Sequence, residues 1–128
     1  MTSVEIPYSV AAALPTLAVL DITNDVGREL AATGLDSGIA YITAGAEPSL
    51  VRVQERESGF FCDLEDLLTR LVPVEQEDRE RLVMMLLGPR TEQIPFADGR
   101  LCLGTYQRIF LCGFGSPFEN DWSLTLLG

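Results

Sequence analysis

The chain has 128 residues and a mass of 14.0 kDa, enough for one domain and too little for a second sizeable core. With 47% apolar and 22% charged residues it reads as a globular domain, which excludes disorder, collagen and coiled coil. The formal net charge is −10, all nine basic residues are Arg, and His and Lys are absent. Such a chain repels nucleic acid and anionic lipid, so neither is expected as a partner. The absent His removes the commonest general base and metal ligand and bars Ser-His or Cys-His nucleophiles. The absent Lys bars Schiff-base chemistry and a P-loop.

The residues near the N-terminus, 3–8, alternate weakly and read as a strand. A second strand runs through Leu17, Val19 and Asp21 and is limited by Pro15. The apolar stretch Val10 to Leu20 is too short to span a membrane and lacks the basic flank of a secretory signal, so a cytoplasmic protein is expected. Thr23 or Asn24 then caps a helix whose apolar face is Ile22, Val26 and Leu30, stopped by Gly34. Gly38–Thr43 and Leu50–Gln54 read as strands, the second alternating Val51, Arg52, Val53, Gln54. Ala44 to Pro48 links them as a loop.

Asp63 or a neighbour starts the next helix, with the stripe Leu64, Leu67, Leu68 and Leu71, and Pro73 marks its end. Asp63, Glu65 and Asp66 read as charges favoured at a helix start. Glu75–Leu87 reads as a third helix, with Met84 and Met85 packed at its apolar end and Gly88-Pro89 closing it. The C-terminal third is β: Thr91–Phe96 and Arg100–Leu103 around an Ala97-Asp98-Gly99 turn, then Tyr106–Phe114 and Asp121–Leu127. Strands with helices against them give the α+β class, one domain over residues 1–128. Cys62, Cys102 and Cys112 form no C-x-x-C pair, so no zinc site or disulfide framework is indicated, and all three read as packed residues.

Several motifs cluster in the C-terminal half: Leu86-Leu87-Gly88-Pro89-Arg90, Ile94-Pro95, Asp98-Gly99-Arg100-Leu101, Leu103-Gly104-Thr105-Tyr106-Gln107 and Ile109-Phe110-Leu111-Cys112. Together they resemble the YjbQ family pattern LLG-x-S, IP, DG-x-L, LGTWQ, I-x-L. The N-terminal half agrees more loosely, through Ile22-Thr23-Asn24-Asp25-Val26, Gly34, Gly38 and the Asp63 to Pro73 helix. The resemblance implies a bent, mostly antiparallel sheet with about three helices, and a homotrimer. Some members of that family act as weak, secondary thiamine-phosphate synthases. Their pocket is marked by an HTSA-type loop, a strand ending N-E, a His-rich stretch before the third helix, and an acid after the I-x-L-C strand.

Here those positions differ. The HTSA-type segment corresponds to Ala46-Glu47-Pro48-Ser49, the N-E to Gln54-Glu55, two His-rich positions to Arg79 and Arg81, and the acid to Gly113. The DGPR-type end corresponds to Gly115-Ser116-Pro117-Phe118. Glu55 and Gln107 are the candidates for any remaining catalysis, although Glu55 reads preferably as a solvated strand-end charge beside Arg56 and Glu57. Thr105, Gln107, Arg79 and Arg81 are candidate contacts to a small anionic ligand. Thr105 and Gln107 read as well as turn or subunit-interface residues. The two arginines form either an anion pocket or, preferably, a solvated helix face paired with Glu75 and Glu77. No metal and no cofactor is expected. The reading is a non-catalytic or weakly active homotrimer that has lost the His-based pocket. Its alternative is an enzyme with a modified carboxylate, Gln and Arg pocket acting on a small phosphorylated substrate.

Overall fold

The computed structural model describes residues 18–45, 48–55, 58–114 and 121–128. The strand expected at residues 3–8 and the segments Ala46-Glu47 and Gly115-Ser116-Pro117-Phe118 lie outside them. The elements are β1 (Ala18–Asp21), α1 (Thr23–Thr33), β2 (Gly38–Ala44), β3 (Ser49–Glu55), α2 (Ser58–Leu71), α3 (Arg79–Leu87), β4 (Thr91–Ala97), β5 (Arg100–Leu101), β6 (Gln107–Gly113) and β7 (Trp122–Leu127). This is the α+β class expected from the sequence.

Every strand pair is antiparallel. The curled sheet divides into two ladders, β1-β6-β3 and β5-β4-β2-β7. One core lies between them. Ala40 and Ile42 of β2, Ile94 and Phe96 of β4, and Ile109 and Leu111 of β6 meet there, with Val26 and Leu30 of α1 closing one side. A second core lies on the outer face of the three-stranded ladder, where Val19, Leu50, Phe110 and Cys112 pack against Phe61 and Leu68 of α2 and Val83 of α3. β6 is therefore covered on both faces, because its odd and even side chains serve different cores. The apolar run Tyr106–Phe114 is covered largely from within the chain. Its own helices and strands cover Ile109 to Cys112, which are 5% exposed or less, while Tyr106, at 75%, and Gln107 stay open.

The helix boundaries differ from those expected, each for an identifiable reason. α1 has no Thr23 or Asn24 side-chain cap, since its N-cap is Ile22. Instead Asp21 Oδ1 accepts the Thr23 N–H at 3.0 Å, while Thr23 Oγ1 accepts the Ile109 N–H at 2.7 Å. Gly34 ends the helix at φ 73°, as its position implied. α2 starts at Ser58, five residues before Asp63, because Phe61 extends the buried stripe upstream and stacks edge-on against Phe110 (ring centroids 5.2 Å apart). Asp63, Glu65 and Asp66 consequently sit inside the helix, and Glu65 is buried, with the Thr69 hydroxyl 3.4 Å away. α3 starts at Arg79 rather than Glu75. The Gln76 N–H closes a turn on the Pro73 carbonyl, and Asp78 takes φ 60°, which interrupts helical geometry. Met84 packs on the second core, but Met85 is 81% exposed.

β5 is shorter than expected. Its hairpin turn is Asp98-Gly99, both with positive φ as a two-residue type I′ turn requires, and the Leu103 N–H then turns back to Leu101 O. Gly38, at φ 153°, cannot carry a side chain, since a Cβ there would lie 2.0 Å from the Leu127 carbonyl of β7. Among the described residues, no helix is long and apolar enough to cross a membrane.

Candidate functional site

The ladder register separates the expected pocket residues into groups. Glu55 and Gln107 are direct partners at one end of β3–β6, and Gly113 pairs with Ser49 at the other. Six residue steps at about 3.3 Å each put these ends about 20 Å apart. Within one chain, a carboxylate at Glu55 could not have cooperated with an acid at position 113. Gln107 is already engaged, because its Oε1 accepts the Gly104 N–H at 2.7 Å and its own N–H donates to Gly104 O at 3.0 Å. That double contact closes the exposed turn holding Thr105 and Tyr106. Glu55 is exposed at the strand end.

Arg79 and Arg81 are not drawn to that end of the ladder. Arg79 Nε donates to the Val72 carbonyl at 2.8 Å and braces the connection between α2 and α3. Arg81 is 81% exposed at its side chain and lies 3.9 Å from Asp78, not from Glu75 or Glu77 as the four-residue spacing suggested. The reason is the later start of α3, which leaves both glutamates outside the helix.

A concave site does exist on the helix-covered face of the same ladder. Alternation along β3 points Leu50, Arg52 and Gln54 into it, with Phe110 and Cys112 of β6 beside them. Phe60, Phe61 and Leu64 of α2 form one wall, and Leu86 and Leu87 of α3 form the other. The space is about 160 Å³ and partly open to solvent. Arg52 Nη1 donates to the Leu87 carbonyl at 2.7 Å, which ties β3 to the negative C-terminal end of α3. Neither Arg79 nor Arg81 lines the cavity.

Beside the cavity, a buried ion pair joins β1 to β6. Arg108 Nε lies 2.8 Å from Asp21 Oδ2, with the Asp21 side chain fully buried and that of Arg108 28% exposed. Arg108 stands opposite Gln54 in the ladder, and Asp21 opposite Phe110.

Cys112 is buried as expected and lines the cavity floor, but Cys62 and Cys102 are exposed rather than packed. Their neighbours in sequence are apolar, yet Cys62 falls on the outer side of α2 and Cys102 just beyond the end of β5. Burial pushes the Cys112 thiol from its ordinary 9.0 up to about 12, and nearby Arg52 offsets only part of that. It is therefore a neutral wall group and not a nucleophile near neutral pH. A thiol-specific reagent is expected to label two cysteines quickly in the native protein and the third only on unfolding; fast labelling of three would contradict this placement. Because the folded state holds this proton more tightly, its contribution to stability is full below pH 9.0 and is lost as pH rises toward about 12.

The site thus offers one guanidinium, one amide and apolar walls. Such groups bind and orient a molecule; they do not move protons at neutral pH. Among the described residues, no group of three or more His, Cys, Asp and Glu side chains is placed to hold a metal ion. The alternation of Val51, Arg52, Val53 and Gln54 signalled that Arg52 and Gln54 share a face. What the sequence did not signal is that two helices roof that face.

Comparison with known proteins bears on the whole chain. Residues 14–128 match the family described as UPF0047 protein, YjbQ-like. The chain belongs to that family. A UPF0047 protein of Methanothermobacter thermautotrophicus is 28% identical over 120 residues, covering 86% of this chain and 82% of the relative. A conserved YjbQ/UPF0047-family protein from Clostridium acetobutylicum superposes with a TM-score of 0.77 at 22% identity, over 88% of this chain and 92% of that one. A hypothetical protein from Aeropyrum pernix gives a TM-score of 0.74 at 27% identity, covering 88% and 90%. The family fold is therefore preserved in this His-free chain.

Proposed function

We propose that this chain is a non-catalytic member of the family, a homotrimer that binds a small anionic molecule in the cytoplasm. The observation that carries this reading is the state of the residues left where the resemblance puts the pocket. Gln107 closes a turn, Arg79 holds a backbone carbonyl, Arg81 faces solvent, and Glu55 has no second acid along its strand. None of these forms a nucleophile–base or acid–base pair. Three free cysteines suit a reducing compartment.

The trimer is supported by apolar side chains exposed on the two roofing helices. Leu67, Leu71, Leu82, Met85 and Leu86 are between 39% and 81% exposed. Apolar side chains grouped in this way mark association surfaces. Light scattering at micromolar concentration is expected to give three times the 14.0 kDa chain mass. Leu71→Asp with Met85→Asp is expected to release monomers. A monomer mass for the natural chain removes the trimer; a trimer that survives the double substitution moves the interface elsewhere. The purified protein is expected to show no thiamine-phosphate synthesis, since loss of general acid–base help costs about 10²–10⁴ in rate. Turnover equal to that of a His-containing relative would instead favour the modified carboxylate, Gln and Arg pocket acting on a small phosphorylated substrate.

A further inference from the structure

We propose that the cavity roofed by α2 and α3 takes a small aromatic monocarboxylate, its ring among Phe60, Phe61 and Phe110 and its carboxylate on Arg52. The proposal names the ligand class of the binding reading above and rests on it.

Size comes first. The cavity measures about 160 Å³. Apolar protein cavities of about 150 Å³ stay dry and admit benzene, so the space suits one six-membered ring. The walls come second. Leu50, Leu64, Leu86 and the three phenylalanines present carbon, and the Cys112 thiol is neutral and buried. A water held deep among them would lack the two to four polar partners it needs, whereas an aromatic ring would meet the edges and faces of other rings. Phe60 and Phe61 already stand edge-on at 5.6 Å, and Phe61 and Phe110 at 5.2 Å, the arrangement that aromatic groups favour.

Charge decides the remaining part of the ligand. Among the described lining residues, Arg52 is the one charged side chain. Its Nη1 donates to Leu87 O, which uses one of five N–H donors. No described carboxylate forms an ion pair with it. A guanidinium grips a carboxylate through two parallel hydrogen bonds. The protein as a whole carries −10, and that field opposes multiply charged anions. One local cation inside an acidic protein selects a monoanion over a phosphate. The Gln54 amide beside it can donate a further hydrogen bond.

The test is calorimetric titration of the full-length protein at neutral pH with benzoate, with its uncharged shape-mimic benzamide, and with inorganic phosphate. Benzoate is expected to bind with a Kd on the order of 1 mM, as suits so small a ligand, and benzamide about tenfold more weakly. Arg52→Gln is expected to weaken benzoate about tenfold and leave benzamide unchanged. Because Arg52 also ties down the end of α3, Arg52→Lys serves as the second variant, keeping the charge and therefore the preference for benzoate. Leu50→Phe, which fills the space, is expected to abolish both ligands. Equal binding of benzoate and benzamide, undiminished binding to Leu50→Phe, or phosphate binding more tightly than benzoate each overturns the proposal. So does absence of saturable benzoate binding at ten times the expected Kd. If benzoate fails and thiamine-phosphate synthesis is also absent, the ligand assignment falls and the non-catalytic reading stands. If benzoate binds as expected while synthesis is found, the reverse holds.

Discussion

Arg108→Met is expected to destabilise the protein by about 3–5 kcal/mol, and to lower its melting temperature by about 10–20 °C. Asp21 is the reason. Its carboxylate is wholly buried at the end of β1, and Arg108 is the cation that balances it at 2.8 Å. Removing the cation leaves a charge in a site that water does not reach, and that penalty greatly exceeds the net worth of the pair itself. The neighbourhood magnifies the effect. Asp21 Oδ1 also holds the Thr23 N–H, and Thr23 in turn holds β6 through the Ile109 N–H, so the start of α1 depends on the same carboxylate. The double variant Asp21→Asn with Arg108→Met is expected to recover most of the loss. A neutral amide can still accept the Thr23 N–H and carries no charge to strand. Chemical denaturation of the three proteins measures this directly. A loss below about 1 kcal/mol in the single variant would mean that Asp21 reaches solvent and that the pair is not what joins β1 to β6.

Phe110→Ala is expected to cost about 3–5 kcal/mol. The ring is 0% exposed and forms the floor of the second core, with Phe61 packed edge-on against it. Its loss removes buried carbon and an aromatic pair, and the new void joins the existing 160 Å³ space rather than closing. Backbone pairing through Phe110 does not depend on the ring, so the denaturant slope is expected to stay constant while the midpoint falls. Phe110→Leu keeps more carbon and is expected to lose less. A cost under about 1 kcal/mol for Phe110→Ala would show that the helices settle onto the ladder and fill the gap.

Much of this architecture was legible in the residues. Gly34, Gly88 and the Asp98-Gly99 pair each mark a turn for a reason local to the chain, and each is where it was expected. Strand periodicity marked β3 and β7; β7 alternates between half-buried and exposed residues, whereas β3 buries Ser49, Leu50 and Val51 in succession because both of its faces are covered there. The misplaced boundaries share a cause. At Ser58 and at Arg79, helix limits were set by contacts distant in sequence or by a turn whose geometry no single residue announces: Phe61 against Phe110 in one case, Pro73 to Gln76 in the other. The site was harder still. Gln107 and Arg79 have the residue type and position of pocket groups, but their side chains answer nearby backbone groups. The Asp21–Arg108 pair spans 87 positions, and the cavity needs two helices to be laid over one strand face. Neither is a property of any local window.

The pairing of β1 with β6, in which Ala18 meets Gly113, also sets an order of events during synthesis. The three-stranded ladder has β6 at its centre, so among the described strands neither β1 nor β3 has its ladder partner until residue 113 has left the ribosome. The four-stranded ladder can begin earlier, with β2 against β4, but its β7 edge follows β6 in the chain. A chain wired in this way has little to gain from folding as it emerges. Closure of such long loops falls among the slower single-domain reactions, on the order of milliseconds to seconds. During that interval β1 and β3 carry unpaired edges and exposed apolar faces, and these are the features that chaperones recognise and that aggregation exploits.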